Sequence, residues 1–362
     1  MEEDLRGLLD RRLATQRLTG APAGVADCVR EGLAVQSQDP GTARWSLGMR
    51  ADCDDAQVRQ AVDSGQIVRA HVMRPTWHYV HRDDLRWLQQ LTGARMAGSM
   101  PARHRQLGVT PQVTEVALGI LQRELSGGTH LTRKQLTPML PRTGAPHGQV
   151  VGHLLMLAEA CGLVCSGCLI NGGHSYALAD EWLPAGSGRF DADQATRELV
   201  RRFFIGHGPA SVKDLARWSR LTMRQIRSSL AELEFGTLVI DGVELWFDPG
   251  QPQGADGQRL RSAFLLPVFD EAFLTYLKPN FPQSPGNPRR DEPGRFGEAG
   301  GGLAVVDLVN VGIWKRSLAG GRLVIRFDMD PGLPEGQLEA LSAEAARMAA
   351  FHGLAEFEIA RY

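Results

Sequence analysis

The run Gln36-Ser37-Gln38-Asp39, followed by Pro40, brings together side chains suited to handling a single small target. Two glutamines at i and i+2 diverge on a helix but share a side of an extended chain. A residue before proline is biased away from the helical region. The helix expected to carry Val29, Leu33 and Gln36 therefore ends here, and the exit lets Gln36 and Gln38 converge on one object such as a water molecule. A carboxamide does not titrate near neutrality, so it is no general base. Its carbonyl orients a water and sets a partial negative charge near a developing cation. That suffices where the leaving group is already positive and a sugar departs as an oxocarbenium-like cation, as when an N7-alkylated purine is cleaved from deoxyribose. Taken alone, such a pair at a helix end is more often solvated or capping. Asp39 is a further candidate to stabilise the cation, although Asp before Pro-Gly is commonly a turn former.

Other residues are candidates for holding a polyanion. His71, Arg74, Thr76 and His78 alternate along an expected two-stranded ribbon, with Thr76 and His78 on one face and Trp77 on the other, and packing roles weigh equally for them. Arg69 beside them is the better phosphate candidate. Arg133, Lys134, Arg217, Arg220, Arg224 and Arg227 are candidate phosphate contacts, with plain surface residues as the alternative. The spacing Cys161-x3-Cys165-x2-Cys168 matches that of radical SAM iron-sulfur sites, but the chain lacks the alternating strand and helix pattern of that barrel. His153 and His174 would complete only an irregular zinc site. No metal and no cofactor are expected. The Gly-rich stretches 171–173 and 300–302 open no helix after a strand, so phosphate-loop readings fail. No lysine is near Gln36 in the sequence to form a Schiff base.

Periodicity supplies the elements that position these residues. Helices are expected over 4–18, 24–36 and 54–64, then strands over 67–73 and 76–80, the order of a winged helix. The order recurs with helices 114–125, 131–136 and 149–160 and strands 163–165 and 175–178 around the turn Asn171-Gly172-Gly173. It recurs again with helices 193–205, 211–218 and 222–232 and strands 237–240 and 244–247 across Asp241-Gly242. Strands 264–266, 304–311 and 323–327, helix 335–351 and strand 355–359 follow, around a Pro/Gly-rich loop over 279–302 whose Arg289, Arg290 and Arg295 read as solvated. The expected architecture is mainly α with small β wings, an α+β chain of three tandem winged-helix units, 1–92, 93–188 and 189–258, and a C-terminal α+β domain, 259–362. Winged helices dock the third helix in the major groove of duplex DNA.

The chain's 40 Lys and Arg against 41 Asp and Glu argue at first against a polyanionic partner. Their distribution reverses that: seven basic against two acidic residues over 95–153, eight against two over 197–227, and seven acidic against two Arg over 328–362. Local fields steer nucleic acid more than net charge does. No window holds eighteen uninterrupted apolar residues and the N-terminus is charged throughout, so neither a membrane span nor a secretory signal is expected, and the expected location is the cytoplasm. Five sparsely placed cysteines give no disulfide framework.

Several runs together carry a resemblance. Arg12-Leu13-Ala14-Thr15-Gln16-Arg17-Leu18, Ala34-Val35-Gln36-Ser37-Gln38-Asp39-Pro40, the run from Val68 to His78, Ser211-Val212-Lys213-Asp214, Leu265-Leu266-Pro267-Val268-Phe269-Asp270-Glu271 and Val311-Gly312-Ile313-Trp314-Lys315-Arg316 resemble, in order over about 300 residues, the AlkZ-like family of winged-helix DNA glycosylases. The resemblance implies a bacterial monofunctional glycosylase, bulky alkylated purines in double-stranded DNA as its substrate, and catalysis by a glutamine-x-glutamine motif, here Gln36 and Gln38. A related YcaQ-like branch carries an acidic residue at the second position, and Gln38 departs from it. The chain thus looks closer to enzymes that unhook interstrand crosslinks and give self-resistance to a DNA-alkylating antibiotic such as azinomycin. A monomer is expected. The alternative is a non-catalytic winged-helix transcriptional regulator, which binds one operator sequence and tolerates loss of both glutamines.

Overall fold

The computed structural model describes residues 2–19, 23–183, 190–251, 262–289 and 300–361. Arg290 and Arg295 lie outside them. After α1 (Glu2–Thr15), the first repeat runs α2 (Val25–Glu31), β1 (Val35–Gln36), α3 (Pro40–Ala51), α4 (Asp55–Asp63), β2 (Ile67–His71) and β3 (Trp77–His81), with sheet order β1-β3-β2. Helices α5 (Arg82–Ala97) and α6 (Pro101–Leu107) lead to the second: α7 (Pro111–Glu124), β4 (Leu131–Thr132), α8 (Arg133–Leu136), α9 (His147–Ala160), β5 (Val164–Ile170) and β6 (Gly173–Leu178), ordered β4-β6-β5. After α10 (Ala179–Trp182), the third comprises α11 (Ala192–His207), α12 (Val212–Ser219), α13 (Met223–Leu230), β7 (Gly236–Ile240) and β8 (Val243–Phe247). There the bridge of Ala210 to Trp246 stands where β1 and β4 stand in the others. The same winged-helix connectivity thus occurs three times.

The last unit has a sheet ordered β13-β12-β11-β10-β9, built from β9 (Ala263–Pro267), β10 (Gly301–Val306), β11 (Val309–Ala319), β12 (Arg322–Met329) and β13 (Phe357–Arg361). Short α14 (Glu271–Leu274) follows β9, and α15 (Glu335–Phe351) packs on the sheet through Leu341, Ala345 and Met348.

Local sequence explains the helix starts. Asp54, Thr132, Asp191, Ser211 and Thr222 each close a reciprocal capping box with the residue three positions on, satisfying N–H groups a helix cannot satisfy internally. Each such cap is worth about 1 kcal/mol. Asp241 and Gly242, both at positive φ, make the third wing's tight turn.

Three expectations need correction. The helix expected over 24–36 stops at Glu31, because Leu33 takes a left-handed conformation (φ 63°), and Gln36 lies on strand β1. The Asp39-Pro40-Gly41 turn is a helix start: Asp39 caps α3 and Pro40, whose missing N–H has no intrahelical role there, sits in its first turn. The strand expected over 304–311 is two, because Asp307 and Leu308 (φ 49° and 69°) reverse the chain between β10 and β11.

The cores join units rather than separate them. Trp45, Leu47 and Tyr79 of the first repeat pack in one cluster with Phe264, Trp314 and Phe327 of the last unit. Leu33, Val80 and Trp87 pack in another with Phe203 and Trp218 of the third repeat. The first repeat, carrying the glutamine pair, is held from both sides.

Candidate active site

Strand β1 lays Gln36 directly opposite His78 and Val35 opposite Tyr79, while β2 places Ala70 opposite His78, Arg69 opposite Tyr79 and His71 opposite Trp77. Directly paired residues share a face and neighbours alternate. The candidates therefore divide between two faces. Gln36 and His78 share one; Arg69, His71, Trp77 and Tyr79 share the other. Arg74 lies in the turn between β2 and β3, and so does Thr76, which had been expected on the strand and is a half-buried residue whose hydroxyl has no hydrogen-bond partner among the described residues.

On the glutamine face, Arg74 donates from Nη2 to Gln36 Oε1 at 2.9 Å, and the same nitrogen lies 3.3 Å from His78 Nε2. His78 is fully buried. Burial, followed by the charges of Arg74 and His71, holds its pKa well below the ordinary histidine value, so the ring is neutral and can accept from Arg74. The backbone N–H of Gln36 donates to Glu271 Oε1 at 3.0 Å. The other Glu271 oxygen accepts from Trp218 Nε1 at 2.9 Å and from Thr275 Oγ1 at 2.7 Å. One buried carboxylate thus ties the first repeat, the third repeat and the last unit together. Gln36 is only 5% exposed, whereas Gln38 is exposed and its Oε1 receives only a long contact, 3.4 Å, from Trp77 N. Gln36 is the anchored partner and Gln38 the accessible one.

Asp39 is occupied by structure. Its Oδ1 accepts from Gly41 N (3.0 Å) and Thr42 N (3.3 Å), and its Oδ2 from Gly300 N (2.8 Å). On the opposite face, Arg69 donates to Ser37 O at 3.1 Å and places its guanidinium 4.3 Å from the Trp77 ring centroid. The His71 ring stands 4.3 Å from that of Trp77 and touches the buried carboxylate of Glu159, which also accepts from His71 N at 3.0 Å. These side chains brace the sheet that carries Gln36 and, through Ser37 O, the link to Gln38.

Comparison with known proteins now decides the family. The family described as "DNA glycosylase AlkZ-like" matches residues 29–351. The chain belongs to the AlkZ-like DNA glycosylase family. Among solved structures, the DNA glycosylase AlkZ of Streptomyces sahachiroi is similar over 99% of both chains, with a TM-score of 0.76 at 20% identity, a likeness of fold. No curated protein matches. The protein is therefore a DNA N-glycosylase with DNA as its substrate, and the regulator alternative falls away.

In this AlkZ-like glycosylase the remaining candidates are not equally near the pair. Arg217 on α12 donates to Leu274 O, and with Arg220, the left-handed residue closing α12, it is close enough that their charges depress the Arg74 pKa, after burial and against the pull of Glu271. The third repeat thus brings two of its arginines to the site. Arg224 and Arg227 lie on the exposed side of α13, while Arg133 lies across α9 on Gly148 O and Lys134 is exposed on α8. Arg289 pairs with Asp328 at 2.7 Å. Cys165 is in the core, Cys161 is exposed and Cys168 lies 3.1 Å from His130 Nδ1; among the described residues no three His, Cys, Asp or Glu side chains are grouped to hold a metal. No helix among them is long and apolar enough to cross a membrane. Sequence reasoning passed over Glu271, Trp218 and Glu159 as site residues, and the only signal for Glu271 was the run ending in Phe269-Asp270-Glu271.

Proposed function

We propose that this glycosylase is a monomeric, monofunctional enzyme of the cytoplasm that hydrolyses the N-glycosidic bond of bulky, cationic N7-alkylated purines in double-stranded DNA. The observation that carries the reading is the division of labour in the pair: Arg74 fixes Gln36 Oε1 at 2.9 Å, and Gln38, two residues along the same extended chain, is free at the surface. A carbonyl oxygen keeps a second lone pair after accepting from Arg74. Gln36 and Gln38 then orient the water that attacks C1′ as the purine leaves. Alkylation supplies the positive charge that protonation would otherwise supply, so the reaction calls for no cofactor, and an abasic site without strand scission is the product.

The duplex lies against the three repeats, divided at 92 and 188, with 259–362 packed on the first. Residues Arg69, Arg74, Arg217, Arg220, Arg224 and Arg227 provide cationic contacts, and His71, Thr76, His78, Arg133 and Lys134 complete the set proposed to support DNA. Because a crosslinked base cannot leave the duplex, unhooking of interstrand crosslinks, and with it self-resistance to an alkylating antibiotic, requires attack without full extrusion. The test is release of N7-methylguanine and of a bulkier N7-guanine adduct from duplex DNA, alongside unhooking of a crosslinked duplex, by wild type and by Gln36→Ala/Gln38→Ala. Release lost in the double variant with DNA binding retained supports the reading. Undiminished release by the double variant sinks it.

A further inference from the structure

The start of α3, immediately after the glutamine pair, is surrounded by more guanidinium charge than the protein balances. Arg316 reaches it from β11: its Nη2 lies 3.0 Å from where a Cβ on Gly41 would stand, and its Nη1 contacts Nε2 of His352. Among the described residues no carboxylate lies within ion-pairing distance of Arg316. Beside it, Arg44 and Arg59 share the one carboxylate of Asp55, at 2.5 and 2.6 Å. Arg69, across Asp39, has a backbone carbonyl and an indole face as its partners, also without an ion pair. Four guanidinium groups thus surround two carboxylates, and that of Asp39 already accepts three backbone N–H groups. Glu159, whose charge acts on Arg69 more strongly than that of Asp39, is engaged by His71.

Burial shifts the titration of this cluster in the same sense. Desolvation lowers the pKa of Arg316 and of Arg69, with the Asp39 charge opposing both. His174 of β6 and His352 are pushed down to about 3 and about 4, first by burial and then by these arginines. A half-buried guanidinium without a carboxylate is costly unless an anion arrives, and its planar fork matches a phosphate. The DNA substrate supplies that anion.

We infer that Arg316, flanked by Arg44 and Arg59, binds one backbone phosphate of the DNA beside the nucleotide whose C1′ is attacked by the water that Gln36 and Gln38 orient. The placement rests on the reading of those glutamines as the reaction centre. A strand of the last unit then grips DNA directly. The bound phosphate also cancels a positive field that would oppose the developing sugar cation.

The test is fluorescence anisotropy with a duplex carrying one 2′-fluoro-N7-methylguanosine, whose glycosidic bond resists hydrolysis, each nearby phosphate being replaced in turn by a neutral methylphosphonate. Wild type is expected to lose about tenfold in affinity at one flanking phosphate. Arg316→Gln should lose the same factor on the all-phosphate duplex and nothing further at that position, and its slope of log K against log salt should be shallower by about one. Arg316→Lys should recover part of both. Unchanged affinity of Arg316→Gln, or the same methylphosphonate profile as wild type, overturns the inference. If melting shows that Arg316→Gln does not fold, Arg59→Gln at the solvent edge of the cluster is read against the same two outcomes, with a two- to threefold loss expected, on the order of a shared contact. Binding is the readout, so normal excision by Gln36→Ala/Gln38→Ala would fail the catalytic reading without touching this one.

Discussion

The carboxylate of Glu271 accepts the backbone N–H of Gln36 at 3.0 Å across 235 positions of chain, and so fixes the first glutamine from behind. Replacing Glu271 by Ala takes the acceptor from three buried donors, Gln36 N–H, Trp218 Nε1–H and the Thr275 hydroxyl. Each unsatisfied buried group costs about 1–3 kcal/mol. Urea unfolding should show Glu271→Ala less stable by about 3–5 kcal/mol, in the range of a broken buried network. Glu271→Gln should lose less, because one carbonyl oxygen can still serve Gln36. Equal losses would mean that the hydrogen bond to Gln36 contributes nothing.

The two glutamines should differ as variants. Gln38 is exposed and makes one long contact, so Gln38→Ala should stay within about 0.5 kcal/mol of wild type in stability. Gln36→Ala removes the acceptor of a half-buried guanidinium and should cost about 1–3 kcal/mol. Excision should fall by about 10²-fold in each, the scale of one lost electrostatic group at a reacting centre. Single-turnover excision set beside thermal melting makes the comparison, and a stable Gln38→Ala protein with full activity would remove Gln38 from the mechanism.

Much of the fold was legible because the periodicity of apolar residues reports on local burial, and the helix starts reappear at Asp54, Thr132, Ser211 and Thr222 with their caps. What escaped depends on contacts between distant segments. Nothing local distinguishes a helix running to Gln36 from one stopped by a left-handed Leu33, because β1 exists only by pairing with β3. Glu271 had no assigned role in the sequence beyond closing the run Leu265 to Glu271. Only the meeting of α12, β1 and α14 buries it. The alternation along the ribbon was legible, but which face held Gln36 required the register.

Asp39 is expected to act as a cap and not as a reacting group. Loss of its carboxylate in Asp39→Ala should cost about 1 kcal/mol for the cap, and more for the lost bond to Gly300 N. Asp39→Asn, which keeps one carbonyl oxygen for Gly41 N and Thr42 N, should restore most of that. Excision per folded molecule should change less than threefold in Asp39→Asn, an estimate on the order of a small positional shift. A drop of 10²-fold or more at unchanged stability, the scale of a direct electrostatic role, would give the carboxylate a part in stabilising the sugar cation.

Acid should unfold this protein through its buried histidines before its carboxylates. His78, His174, His207 and His352 all have pKa values below the ordinary 6.5, in each case first because of burial. They stay neutral in the native state but take up protons when the chain unfolds. Below pH 6.5 the unfolded state therefore binds more protons, and stability falls as the pH drops by about 1.4 kcal/mol per pH unit for each such group. The loss from His352 levels off near pH 4 and that from His174 near pH 3. The depressed carboxyls of Asp55 and Asp270, paired with Arg44 and Arg50, lose their contribution only below about pH 4. His174→Gln should accordingly flatten the stability profile between pH 6.5 and 4.5, by about 2 kcal/mol at pH 5 relative to neutral pH. Parallel profiles for the variant and wild type would place the acid sensitivity elsewhere.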